Sequence, residues 1–126
     1  MKEHEKLTAE QIEALANEIR EFLLAQGMWQ DVEIYFNGKM YSTHDPITNN
    51  HYYNDRENLI TVENVEPNFE YVTSETPLSM AFEGPVCHML YYNWYPAERR
   101  VFEKILLRYG LYYEFGNHWN ITCDYT

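Results

Sequence analysis

The clearest pattern in the chain lies between Pro77 and Tyr95. Leu78, Met80 and Phe82 alternate with Ser79, Ala81 and Glu83, the period of a strand with one buried face. Gly84-Pro85 interrupts the alternation, and proline suits the first turn of a helix, where no backbone donor is needed. Val86, Met89, Leu90 and Asn93 then follow helical spacing, so the stretch predicts strand, sharp turn and helix, with the rest of the fold packed on this unit.

Upstream, Thr8 and Gln11 form a capping box, and Leu7 and Ile12 occupy the two positions of a hydrophobic staple. Ile12, Leu15, Ile19, Phe22 and Leu23 make the buried stripe of the helix that follows, and Gly27 stops it. Glu10, Glu13, Asn17 and Glu21 lie on the opposite side, with Glu18 near its edge. Val32 to Phe36 alternates next, and Asn37-Gly38 is the preferred pair for a type I′ turn. A two-residue loop pairs Phe36 with Lys39 and Ile34 with Tyr41, turning Val32, Ile34 and Phe36 toward the core.

From His44 to Thr76 the pattern weakens. Asp45-Pro46, Asn49-Asn50 and Asn54-Asp55 mark turns, Leu59 to Val62 reads as a short strand, and Pro67 opens either a turn or a single helical turn through Val72. A second long helix runs from Pro96 to Tyr109 and is closed by Gly110, with Phe102, Ile105, Leu106 and Tyr109 inside. Arg100, Lys104 and Arg108 form a row on another face, with Arg99 nearby; the simpler reading pairs them with the chain's own acidic segment, and the alternative is an anion site. Leu111 to Tyr125 is a second hairpin. For Leu111, Tyr113 and Phe115 to meet Trp119, Ile121 and Cys123 on one face, Phe115 must oppose Trp119 across the odd loop Gly116-Asn117-His118. Tyr112, Glu114, Asn120, Thr122 and Asp124 then face away.

These elements predict an α+β fold: an antiparallel sheet of four to six strands with two or three helices packed on it. The 126 residues fit one domain, with residues 1–6 frayed and 44–76 a long, partly irregular connection. Twelve Tyr, six Phe and three Trp supply the burial that disordered chains lack. The net charge of −11 argues against direct contact with a nucleic-acid backbone and suits a basic protein partner or plain solvation. The charged amino terminus lacks the apolar core of a secretory signal, no apolar run approaches bilayer length, and two distant cysteines, Cys87 and Cys123, fit reduced thiols; together these predict a cytoplasmic protein.

Reaction chemistry finds little support. His118 and Cys123, or Cys87 and His88, lack the number and direction of ligands that zinc requires, and His44, Asp45, His51 and Asp55 form a cluster with no spacing signature. No nucleophile elbow, phosphate loop or dinucleotide fingerprint occurs. The pattern selects no catalytic residue, metal site or cofactor, although an acid–base site among twenty acids needs no motif.

Two features remain. Seven acids and no Lys or Arg occur from Glu57 through Glu98, and Glu63, Glu66 and Glu70 share a side if their segment is helical. Tyr91, Tyr92, Trp94 and Tyr95 are more aromatics than one helix end can bury, so they pack under the long loop or form a contact surface. The segments Leu78 to Pro85 and Gly110 to Asn120 resemble small accessory proteins carried by phages and integrative elements of gut bacteria. That resemblance implies a mobile-element setting, in which small acidic proteins inhibit host defence nucleases by imitating DNA, as anti-CRISPR and anti-restriction proteins do. The resulting expectation is a non-enzymatic inhibitor of a basic partner, such as a nuclease or another nucleic-acid-binding protein. Its contact residues would be Glu57, Glu63, Glu66, Glu70, Glu83, Tyr91, Tyr92, Trp94 and Tyr95. The alternatives are a small enzyme or ligand-binding domain with an acid–base pocket, and a self-associating domain whose exposed Tyr and Trp form a homodimer face.

Overall fold

The computed structural model describes residues 6–69 and 71–126. Expectations for the amino-terminal residues 1–5 and for Glu70 lie outside the described residues. The order is α1 (Ala9–Ala25), β1 (Val32–Phe36), β2 (Lys39–Ser42), β3 (Ile60–Glu63), β4 (Leu78–Phe82), α2 (Gly84–Leu90), α3 (Pro96–Arg108), β5 (Leu111–Asn117) and β6 (Asn120–Tyr125). The six strands form one antiparallel sheet in the order β3-β2-β1-β4-β6-β5, an α+β fold. The strand β4 stands near the centre of the sheet and leads directly into α2.

The start of α1 is capped as its sequence requires. Thr8 Oγ1 accepts from Gln11 N (3.1 Å) and Gln11 Oε1 accepts from Thr8 N (2.8 Å). Thr8→Ala is expected to cost about 1 kcal/mol, read as a lower midpoint in thermal unfolding. Leu15, Ile19 and Leu23 are buried against the sheet with Ala16 and Leu24. Asn17, expected on the solvent side, instead accepts from the Tyr41 hydroxyl (3.0 Å), because α1 lies close over β2. Glu18 accepts from both Arg108 and the Tyr109 hydroxyl and so clamps α1 to α3. The basic row of α3 therefore does not pair with the acidic segment. Arg108 takes Glu18, Arg99 lies 3.9 Å from Glu103, and Arg100 and Lys104 make no ion pair among the described residues.

The first hairpin has the expected register, with Phe36 opposite Lys39 and Ile34 opposite Tyr41, and Asn37 (φ 50°) and Gly38 (φ 74°) both in the left-handed region that a type I′ turn demands. The second hairpin departs from expectation. Phe115 pairs with Ile121, not Trp119, and the loop is His118-Trp119, with a register shift between Phe115 and Asn117. A two-residue loop alone would put Phe115 out of phase with Ile121; the extra residue, Gly116, restores the phase as a bulge. α2 also ends sooner than its spacing predicts, at Leu90, and Asn93 (φ 56°) turns the chain in a left-handed conformation.

All three helices contribute to a core with the inner sheet face: Val32, Ile34, Phe36, Leu78, Met80, Phe82, Ile121 and Cys123. The outer face is less open than the alternation predicts, since Ser79, Asn120 and Thr122 are buried. Part of the 64–76 segment crosses this face, where Phe69 packs edge-on against Tyr35 (5.3 Å, 84°). Among the described residues, the 64–69 stretch forms no helix, so Glu63 and Glu66 gain no common helical face. No helix of the described residues is long and apolar enough to cross a membrane.

Candidate functional site

The start of β1, the ends of β2 and β4 and the start of β6 lie at one end of the sheet, as their registers require. A cleft of ≈ 370 Å³ opens there on the outer face, lined in part by Asp31, Glu33, His44, His51, Glu83 and Trp119. Its carboxylates come from three places. Asp31 (φ 51°) turns the chain into β1, and its carbonyl accepts from Glu83 N (2.8 Å), which holds the end of β4 against it. Glu33 is the first outward side chain of β1, opposite Ala81 and Ser42, whose small side chains leave the space above them open.

The wall carrying the histidines is set by turn chemistry. Asp45 Oδ1 accepts from Ile47 N (2.9 Å), folding the loop back so that His51 bridges to His44, with ring centroids 4.6 Å apart. His44 Nε2 lies 2.7 Å from Asn49 Oδ1. Asn54 fixes the next turn through two bonds to the Trp29 backbone, both 2.8 Å, placing the Tyr53 hydroxyl to donate to Asp31 (2.6 Å).

Burial pushes the Glu33 carboxyl up, opposed by the hydrogen bond from Tyr35 and the charge of His44. Tyr35 donates to Glu33 (3.3 Å), and burial with that neighbour raises its phenol to about 12. Burial, and after it the charge of Glu83, raises the Cys87 thiol, which donates to His118 O (3.2 Å) and is less nucleophilic for it.

That thiol contact pins the tip of the second hairpin to α2, and ring contacts lead from the cleft rim around this tip to an aromatic strip. Trp94 stacks on His88 (4.2 Å, 22°), Tyr91 packs edge-on against Phe115 (5.4 Å) and near His118 (5.4 Å), and His118 lies 4.0 Å from Trp119, the cleft rim. Tyr91, Tyr92, Trp94 and Tyr95 are all exposed.

Of the residues expected to form a contact surface, Glu83, Tyr91, Tyr92, Trp94 and Tyr95 thus come to one end. Glu63 and Glu66 do not join them: Glu63 ends β3 opposite Lys39 and Glu66 lies beside Gly38, at the other end of the sheet. Glu57 sits in a turn whose backbone bonds Asp55, next to Arg56, which pairs with Glu21 of α1. Asp31, Glu33, His44, His51 and Trp119 were not picked out as contact residues. Among the described residues, no three His, Cys, Asp or Glu side chains are grouped as a metal ion requires. Comparison of the chain with models of protein families, with curated proteins and with solved structures finds no match.

Proposed function

We propose that this is a non-enzymatic binding protein that receives a basic segment of a protein partner at the cleft end of its sheet. One observation carries the reading: Asp31, Glu33 and Glu83 line a single cleft with no Lys or Arg among the described residues of its wall, and Trp119 on its rim packs on His118, which leads to the exposed Tyr91. Carboxylates accept the donors of Arg or Lys, an aromatic rim adds cation–π attraction, and Tyr and Trp supply contact area at low entropic cost. The mobile-element resemblance extends the proposal to inhibition of a nuclease or another nucleic-acid-binding protein, whose basic surface would meet these acids in place of DNA.

The experiment is a pull-down from a bacterial host lysate at low and high salt, with bound proteins identified by mass spectrometry, followed by affinity measurements on the partner. Recovery of a nucleic-acid-binding protein at low salt only is expected. Glu83→Lys and Trp119→Ala should each weaken its binding by roughly five-fold or more, while Glu63→Lys and Glu66→Lys, at the far end, leave it unchanged. Equal losses from both ends would sink the assignment of the site.

A second reading, an acid–base pocket, draws on the raised Glu33 carboxyl beside His44 in a concave site. Small molecules that stabilise the wild-type chain but not Glu33→Gln in a thermal-shift screen would favour it over protein binding.

A further inference from the structure

A separate feature lies at the edge of the sheet. β5 is outermost, Gly110 O accepts from Thr126 N (3.0 Å), and Leu111 stands opposite Tyr125. Backbone direction alternates along an antiparallel ladder, so Tyr112 and Glu114 turn their N–H and C=O groups toward β6. Those of Leu111, Tyr113 and Phe115 point out of the sheet, and no bond among the described residues satisfies them from that side. Edge strands are ordinarily protected by Lys, Pro, a bulge or brevity. The opposite edge, β3, is only four residues long. β5 has seven residues, no Lys or Pro, and a bulge only at Gly116, beyond the three outward positions. Beside it, a groove of ≈ 410 Å³ between β5 and α3 is lined by Glu103, Leu106, Leu107, Leu111, Tyr112 and Tyr113, and Leu107 is 64% exposed.

We propose that β5 pairs antiparallel with β5 of a second copy, about a two-fold axis at Tyr113. Three registers pair more than one of the outward backbone positions. An axis at Glu114 sets the two Glu114 carboxylates side by side, which is unfavourable. An axis at Tyr112 pairs Leu111 with Tyr113 but carries Phe115 past the strand onto the end of α3. The axis at Tyr113 pairs Leu111 with Phe115 in both directions and Tyr113 with its own copy, with two hydrogen bonds per pair. It also sets Tyr112 opposite Glu114 on the outer face, repeating between copies the bond that Tyr112 Oη already donates to Glu114 within one (3.0 Å). Every cross-strand pair is then apolar, aromatic or hydrogen-bonding. The contact uses one patch on both copies, so it closes as a dimer and does not propagate. The second copy also covers this largely apolar groove and Leu107.

Two exposed positions test the register. Opposed Tyr112 and Glu114 form a non-hydrogen-bonded pair with Cα atoms about 4.5 Å apart, within disulfide range. Cys87 and Cys123 are buried and do not compete. Sedimentation of the unmodified chain at tens of micromolar is expected to give twice the monomer mass. Mild oxidation of mixed Tyr112→Cys and Glu114→Cys chains should give a covalent heterodimer that neither variant gives alone. A monomer in sedimentation overturns the proposal, as does a dimer whose mixed variants fail to cross-link, or homodimer cross-linking of Tyr112→Cys alone.

Discussion

Trp29→Ala is expected to destabilise the protein by about 3–5 kcal/mol, the usual cost of truncating a fully buried Trp. That is a large share of the roughly 5–15 kcal/mol that holds a domain of this size, and the thermal midpoint should fall by about 10–20 °C. Trp29 is 0% exposed and sits where α1 gives way to β1. Its backbone holds Asn54 on both sides, so loss of its packing also loosens the turn that presents Tyr53 to Asp31. Trp29→Phe removes the same N–H but keeps most of the ring's packing. Among the described residues the buried indole Nε1 finds no acceptor; relief of that unsatisfied donor, worth about 1–3 kcal/mol, offsets part of the loss in both variants, while phenylalanine leaves the smaller void. The Phe variant should therefore lose less than half of what the Ala variant loses in urea unfolding. Equal losses would show that packing of the ring against the core does not set the cost.

Alkaline solution should unfold the protein with a midpoint below pH 12. Among the described residues five phenols donate to carboxylates: Tyr35 to Glu33, Tyr53 to Asp31, Tyr109 to Glu18, Tyr112 to Glu114 and Tyr113 to Glu103. With twenty acids and only nine Lys and Arg, tyrosine hydroxyls do much of the work that cations do in a balanced chain. Each of the five is raised above 10: Tyr35, Tyr109 and Tyr113 chiefly by burial, Tyr53 and Tyr112 chiefly by the bond to their carboxylate. A raised acid keeps its proton longer folded than unfolded. Its contribution is therefore complete below the unfolded value of 10 and is lost as pH rises through the folded values, about 12 for Tyr35. The buried thiols of Cys87 and Cys123, raised mainly by burial, act in the same sense from about pH 9. Urea midpoints should fall steadily from pH 9 to 11, and Tyr35→Phe and Tyr113→Phe should flatten the fall. A midpoint constant to pH 11 would remove phenol–carboxylate pairing as a significant contribution.

The parts of the fold legible in the sequence are those where local chemistry leaves one solution. Asn37-Gly38 permits a two-residue turn that few other pairs allow, and the register of β1 and β2 follows from it. Thr8 and Gln11 mark the helix start in the same way. The second hairpin shows the limit. Alternation required Phe115 and Ile121 to share a face, but an odd loop and a bulge both meet that requirement, and Gly116 permits the bulge. The site was less legible because its parts meet only through strand order. Acids that are continuous in sequence from Glu57 to Glu83 are divided in space, because β4 carries the chain roughly 17 Å from one end of the sheet to the other. Asp31 and Glu83 come together only because β1 and β4 are neighbours, a pairing across about fifty residues that no local pattern encodes.

The placement of the three indoles has an optical consequence. Trp29 is sealed in the core, whereas Trp94 and Trp119 are 61% and 51% exposed, both at the end that carries the cleft. Fluorescence quenching by a neutral collider such as acrylamide thus divides cleanly: the accessible emission belongs to the binding end and the protected emission to the core. Occupancy of the cleft and integrity of the fold can be followed in one cuvette, without a label.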